Sequence, residues 1–376
     1  MRKIGFIGLG NMGGPMAANL AKAGHDVTAT DLSIGAVDRA VEAGCKRGAT
    51  VAETVKDADV VVSMLPADWH VPLAKRAIAQ GAHFVSSSYI APEMRALDAA
   101  ASTAGVALVN EVGLDPGIDH VMAHWLMADY RASGAHHPDN EFEFISYCGG
   151  VPKIPNAFRY KFSWSPLGVL KALRSPSRSI RGFTELEVSR PWDALSSYSA
   201  PLPQPETFEV YPNRDSIPFM EEYGFEPGWR VREFVRGTLR LNGWSDAWAD
   251  VFQEIETLEG EAGEARLKEM SDKFWAENAY DEGEPDRVVL CVALKVSRAG
   301  ETVYHKTYVM DAWGDARGTA MARLVSVPVS LAVEAVLNRE IHPGVSAAPR
   351  DPKLVARWME NVDRLAQHLQ VVDHLA

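Results

Sequence analysis

Three glycines mark the first place where this chain can do chemistry. Gly8, Gly10 and Gly13 stand in the spacing G-x-G-x-x-G, within Gly8-Leu9-Gly10-Asn11-Met12-Gly13, directly after a short apolar run and at the head of a helical pattern. The first glycine of such a loop permits a tight turn, the second lets backbone approach a pyrophosphate, and the third lets a helix pack closely on a strand. The helix that follows offers N–H groups and the positive end of its dipole to phosphates. Asp31 lies 18 residues beyond Gly13, where a second strand ends. A carboxylate there accepts from both ribose hydroxyls and repels a 2′-phosphate. Gly8, Gly10, Asn11, Met12, Gly13 and Asp31 therefore predict a dinucleotide site that takes NAD in preference to NADP. The other reading of Asp31 is an N-cap of the next helix, a role open also to Ser33.

Polar side chains also gather where a scaffold alone would want apolar ones. The segments are Ser86-Ser87-Ser88-Tyr89, Asn110–His120, Ser146-Tyr147-Cys148-Gly149-Gly150, Tyr160–Ser165, Tyr211–Ser216 and Arg236–Arg240. The first two leave strands of the predicted parallel sheet, and ligands of open α/β sheets bind beyond the carboxyl ends of the strands. Pro116 suits the first turn of a helix with Asp115 as its N-cap.

The elements that must carry these residues fall into three zones. Lys3–Leu9, Asp26–Asp31, Asp59–Leu65, His83–Ser87 and Val106–Val109 read as short buried strands, with helical stretches such as Asn11–Ala23 between them. Strands alternating with helices imply βαβ units and a parallel sheet. The middle is richer in Trp and Pro, with strands expected at Glu141–Cys148, Val288–Ser297 and Thr302–Met310, the last two joined as a hairpin through Arg298-Ala299-Gly300-Glu301. Gln253–Asp286 is acidic and helix-like, a solvated face. Helices return at Gly318–Leu337 and Pro352–Leu369. The expectation is an α/β protein: a Rossmann-type domain over residues 1–120 completed by 316–376, and a second α/β (α+β) substrate domain over 121–315 with the acidic helical segment 253–286.

Two resemblances follow. The stretch GFIGLGNMGGPMAANLAKAGHDV resembles the cofactor fingerprint of the β-hydroxyacid dehydrogenases, but their later Gly-Gly motif and catalytic lysine do not follow it. The six polar segments, in order, resemble the saccharopine reductases, the glutamate-forming saccharopine dehydrogenases: a serine-tyrosine after a strand, NEVGLDPGIDH, SYCGG, KFSWS, YPNRDS and RGTLR. That resemblance implies reversible NAD(P)-linked oxidation of a secondary amine, with saccharopine giving glutamate and 2-aminoadipate semialdehyde. By motif it assigns Ser88, Tyr89, Asp115, Arg214, Thr238 and Arg240 to substrate, Ser88 also to the cofactor, and Tyr89, Asp115 and Cys148 to acid–base work. Fungal members end the second strand without an acid and use NADP, so Asp31 is a departure.

The residues suit that chemistry on their own terms. An opine-like amine carries several carboxylates, and guanidinium forks bind carboxylates bidentately. Arg214 and Arg240 supply two forks, with Arg236 or Lys161 as a third cation. Hydride loss from a secondary amine needs a base, and hydrolysis of the imine needs proton transfers near neutrality. Plain roles stand beside each: Arg214 as the salt-bridge partner of Asp215, Arg240 as a strand charge, Cys148 as a buried filler, Asp115 as a cap, Tyr89, Phe162 and Trp164 as packing. The rival functions are a 3-hydroxyacid dehydrogenase of the 3-hydroxyisobutyrate type and a non-catalytic NAD-sensing module.

Composition narrows the field further. The chain has 376 residues, and its 50 acids against 38 bases give a net charge of −12, which disfavours nucleic acid and anionic membrane surfaces as partners. Three cysteines without a Cys-x-x-Cys pair suit free thiols in a reducing compartment. His120 and His124 have metal-ligand spacing but no further ligands gather near them in the sequence, so no metal is expected. The N-terminus lacks the pattern of a signal peptide, and the apolar stretch near Leu324–Leu337 reads as too short to span a bilayer. A cytoplasmic homodimer with a small amino-acid substrate is the expectation.

Overall fold

The computed structural model describes residues 2–376. Strands and helices alternate through its first part, with β1 (Lys3–Ile7), β2 (Asp26–Thr30), β3 (Lys46–Arg47), β4 (Val60–Ser63), β5 (His83–Ser86) and β6 (Ala107–Val109). The second part carries β7 (Glu141–Pro152), β8 (Ser177–Arg181), β9 (Thr184–Val188), β10 (Ser196–Ala200), β11 (Glu206–Pro212), β12 (Arg230–Leu241), β13 (Asp286–Arg298) and β14 (Glu301–Trp313). Two strands follow near the end, β15 (Gly344–Ser346) and β16 (His368–Asp373). The chain forms two compact units, Met1–Val121 with Ala322–Val362, and Met122–Met321 with Asp363–Ala376.

The first unit holds a parallel sheet in the order β15-β6-β5-β4-β1-β2-β3. Its central strands β1, β4, β5 and β6 are largely apolar runs because helices cover both faces of such a sheet, leaving no solvent side for polar residues. Phe6, Val61, Phe84 and Leu108 are fully buried. The strand order reverses between β1 and β4, which creates the crevice where dinucleotides bind in sheets of this kind.

The second unit is built on a mostly antiparallel sheet, β10-β11-β12-β7-β13-β14-β16, with β8 and β9 attached beside β12. Only β7 and β12 run parallel. One face carries Tyr147, Val235, Leu239, Val289 and Cys291 in a core of their own. The other meets an aromatic layer of Tyr160, Phe162, Tyr211, Trp244, Trp248, Phe252 and Phe274. The β13–β14 hairpin turns at Ala299-Gly300, both at positive φ, as a two-residue turn requires.

Three expectations about organisation are corrected. Residues 363–376 do not complete the dinucleotide domain, because β16 pairs antiparallel with β14 from His368↔Asp311 to Asp373↔Lys306. A run with β-branched Val371 and Val372 next to an open edge gains more as a strand than as helix, so the helix expected to reach Leu369 stops at Leu365. The acidic segment is two helices, Ala249–Glu256 and Gly260–Asn278, and Asp286 is not solvated but buried, accepting from the amides of Ala320 and Met321 at 2.7 and 2.9 Å. The apolar stretch near the end is an 18-residue helix, Ala320–Leu337, long and apolar enough by composition to cross a membrane, but 61% of it is buried inside the protein, as in a core helix.

Candidate functional site

The glycine loop is shaped as its spacing predicts. Gly8 has φ +95°, and a Cβ there would lie 2.7 Å from the Met64 carbonyl oxygen at the end of β4. A Cβ on Gly13 would lie 1.9 Å from the Gly8 carbonyl oxygen. Packing thus demands both glycines. Gly10 differs: a Cβ would meet nothing within 4 Å, so the protein leaves open the place where a pyrophosphate would approach. The helix Gly13–Lys22 starts after Met12 with no side-chain cap and no acid in its first turn, so its dipole is available to an anion.

Asp31 sits beside this loop. Its Oδ2 accepts from the Leu9 amide at 2.6 Å and its Oδ1 from the Ser33 amide at 2.8 Å. The N-cap of the following helix is Ser33, whose hydroxyl accepts from Ala36. Asp31 is therefore not the cap. Leu32 and Ile34 beside it are exposed apolar side chains, a surface suited to a flat heterocycle. The residues present fit a dinucleotide.

Further along the same strand ends, three buried groups organise the polar segments. His70, in the first turn of the helix His70–Gln80, places Nδ1 2.8 Å from Ser63 Oγ and Nε2 2.8 Å from Ser88 Oγ. Glu111, at φ +56°, accepts from the Ile90 amide at 2.8 Å and meets His120 Nε2 at 2.9 Å. The Glu111 amide in turn donates to the Ser88 carbonyl. Tyr89, held between these anchors, donates its hydroxyl to Asp115 Oδ1 at 3.2 Å. Asp115 is not a helix N-cap: the helix begins at Ile118, and Asp115-Pro116 form a turn closed by Gly113 N–H to the Pro116 carbonyl. Gly117 makes that turn possible, since its φ is +147° and a Cβ would lie 2.4 Å from the Gly113 nitrogen. Sequence reading missed His70; its one signal was Ser63 closing an otherwise apolar strand.

In the second unit, strand register brings three expected residues together. Thr238 on β12 lies opposite Cys148 on β7 and Tyr211 on β11. Arg240, two residues on, shares that face. Its guanidinium stands 4.7 Å from the ring centre of Tyr160, 5.5 Å from Trp244 and 5.8 Å from Tyr211. It is 7% exposed, its Nε has no partner, and among the described residues no carboxylate forms an ion pair with it. Glu209, its partner in register, turns instead to the amides of Gly243 and Ser245 at 2.8 and 2.7 Å, fixing the turn that presents Trp244. A buried cation without a counter-charge is costly unless an anionic ligand completes it. Burial pushes the Tyr211 phenol up, so it stays neutral.

The remaining candidates separate. Arg214 is exposed, on the turn after β11 at φ +57°, and Asp215 pairs with Arg178 at 2.9 Å. Lys161 is 2.5 Å from Glu284, and Arg236 is buried with its guanidinium over the ring of Phe219. Phe162 is core, whereas Trp164 is exposed and lies against Gly168. Burial pushes the Cys291 thiol up to about 12 and raises that of Cys45, which makes both inert. His120 meets Glu111, and His124 stacks edge-on against Tyr223; no cluster of three or more metal-ligating side chains occurs among the described residues.

Known proteins share both halves of this architecture. Residues 113–365 match the family model described as the saccharopine dehydrogenase C-terminal domain, and residues 3–110 match that of the NAD binding domain of 6-phosphogluconate dehydrogenase. The saccharopine dehydrogenase [NADP(+), L-glutamate-forming] of Pyricularia oryzae is 28% identical over 370 residues, covering 79% of this chain and 80% of that enzyme. The NAD-dependent L-serine dehydrogenase of Pseudomonas aeruginosa is 43% identical over 120 residues, 29% of this chain and 40% of that one. Among solved structures, the saccharopine dehydrogenase (L-Glu forming) from Saccharomyces cerevisiae shares the fold with a TM-score of 0.84 at 24% identity, over 99% of this chain and 100% of that one.

Proposed function

Because this chain belongs to the saccharopine dehydrogenase C-terminal domain family, we propose that it oxidises the secondary amine of saccharopine with a nicotinamide dinucleotide, giving glutamate and 2-aminoadipate semialdehyde reversibly. The observation that carries the reading is Arg240, a guanidinium buried among three aromatic rings with no carboxylate among the described residues paired to it. A substrate with several carboxylates supplies the missing charge. Arg214 and the Thr238 hydroxyl add polar contacts to that end of the substrate.

Gly8, Gly10, Asn11, Met12, Gly13 and Asp31 would hold the cofactor, whose nicotinamide would supply the hydride acceptor. Asp115 takes the amine proton, and the Tyr89 hydroxyl that donates to it orients the accepting oxygen. Water adds to the resulting imine, and the Tyr89–Asp115 pair returns a proton to the departing nitrogen of glutamate. Cys148, on the strand face of Arg240, belongs to the carboxylate-binding end in this assignment.

NAD is the cofactor we assign. The Asp31 carboxylate, fixed against the glycine loop through Leu9, stands where a 2′-phosphate would bring like charge, worth several kcal/mol at ~4 Å in a partly screened setting. The likeness to a serine dehydrogenase covers only 29% of this chain, so it carries no assignment of a hydroxyacid substrate.

The test is absorbance of the reduced cofactor on mixing the protein with saccharopine and NAD or NADP. We expect turnover with saccharopine and at least ~100-fold higher kcat/KM with NAD than with NADP. Turnover of 3-hydroxyacids with none of saccharopine removes the substrate assignment, and tight NAD binding without turnover of either class leaves a sensing module.

A further inference from the structure

The carboxyl end of the parallel sheet, where Tyr89 follows β5, contains a buried histidine that no step above uses. His70 is 5% exposed and bridges two serine hydroxyls, Ser63 Oγ at Nδ1 and Ser88 Oγ at Nε2, each 2.8 Å away. Burial pushes its pKa down to about 4, so the ring is neutral at ordinary pH and carries one proton on one nitrogen. Which nitrogen holds that proton decides what Ser88 can do.

Ser63 settles the choice. It is fully buried at the end of β4, and among the described residues its hydroxyl has His70 as its single side-chain partner. If Nδ1 carried the proton, Ser63 would accept it and its own O–H would stay buried without an acceptor, at a cost of about 1–3 kcal/mol. If Nδ1 is bare, Ser63 donates to it and nothing is left unsatisfied. The proton then sits on Nε2 and is donated to Ser88 Oγ. Ser88 is half-buried, its amide is held by Ser86 Oγ at 3.1 Å and its carbonyl accepts from the Glu111 amide. With one lone pair occupied by His70, its own O–H is committed outward.

We propose that His70 is a positioning residue which, through the relay Ser63–His70–Ser88, fixes the Ser88 hydroxyl as a hydrogen-bond donor to an oxygen acceptor of the bound ligand, a carboxylate of the substrate or an oxygen of the cofactor. The relay ties the end of β4 to the loop after β5, so it orients Ser88 and the adjacent Tyr89 together. It rests on the proposed function only for the identity of the ligand.

The test has two readouts. Long-range ¹H–¹⁵N correlation on ¹⁵N-histidine-labelled protein, with the His70 signal assigned by its loss in His70→Asn, reports the tautomer without any substrate. We expect a neutral ring protonated on Nε2 between pH 5.5 and 8, converting to a mixture of tautomers in Ser63→Ala. An Nδ1-protonated ring, or one that titrates near 6.5, overturns the relay. The second readout is a double-mutant cycle on KM and kcat. Ser88→Ala and His70→Asn, which keeps a partner for Ser63 but loses Ser88, should each lower kcat/KM about tenfold, and the double variant should be no worse than either alone. Rescue of most of the loss in His70→Gln, whose longer amide reaches Ser88, is expected. Multiplying effects, or loss in His70→Asn with Ser88→Ala unchanged, would show a structural role instead. If saccharopine is not turned over at all, the tautomer result still decides the relay, so the two failures are distinguishable.

Discussion

At the scale of single residues, type was legible in the sequence and state was not. Arg240 reads as a possible carboxylate fork because guanidinium geometry matches carboxylates wherever it occurs. That it is caged by Tyr160, Tyr211 and Trp244, and that Glu209 opposite it is engaged by backbone amides, depends in large part on segments about 30 and 80 positions earlier in the chain. The consequence is a prediction that separates function from stability. Arg240→Met removes a buried cation that has no counter-charge in the free protein, so the melting temperature should stay level or rise, since apolar replacement of buried charge is often neutral or stabilising. The same change should lower kcat/KM for saccharopine by ~100-fold or more, and saturating substrate should no longer raise the melting temperature. A marked fall in stability of the free protein would show that Arg240 is a structural cation. Asp31 shows the reverse case: its role as an acid at the strand end followed from spacing alone, because the glycine loop and the strand that it bridges are close in sequence.

At the scale of elements, local pattern succeeded where contacts are local. The β1–helix–β2 unit follows from glycine spacing and apolar periodicity, and the β13–β14 hairpin from a two-residue turn between β-branched runs. Pattern failed where an element is decided by its neighbour. β16 has no strong signal of its own; it is a strand because β14 offers an open row of amides and carbonyls. Its seat is reinforced by His374, which stacks on His305 and meets the Thr307 hydroxyl at 2.9 Å. Truncation after Leu365 should therefore lower the melting temperature by roughly 2–4 °C, as expected for loss of ~2–3 kcal/mol in a chain of this size. It should also promote association through the bared edge. Thermal unfolding followed by circular dichroism, with light scattering beside it, checks both, and an unchanged melt would mean that β16 adds nothing to the sheet.

At the scale of the whole molecule, each unit has its own core, the first around Ile7, Val61, Phe84 and Leu108, the second around two clusters on either face of its sheet. Because the glycine loop and Asp31 lie wholly in the first unit, cofactor binding should stabilise that unit directly. At a cofactor concentration of 100 times Kd the gain is about 2.7 kcal/mol, or ~100-fold slower exchange for amides that exchange through opening of that unit. Hydrogen exchange read by mass spectrometry should show this slowing in β1, β2 and β4 and little change in β12 and β13; equal slowing in both sheets would place cofactor contacts in the second unit as well. By itself, the sequence determined the parallel dinucleotide-binding half, the order of the polar motifs and the residue types suited to phosphate, carboxylate and proton, because these rest on short-range spacing and on side-chain chemistry. Only the tertiary structure decided that the last strand belongs to the second sheet, that Asp115 lies in a turn beside Tyr89, that Arg240 is buried without a counter-charge and that His70 joins two serines. Those outcomes depend on which distant groups share a low-dielectric interior, and burial and hydrogen-bond partnership are properties of the folded neighbourhood, not of the residue.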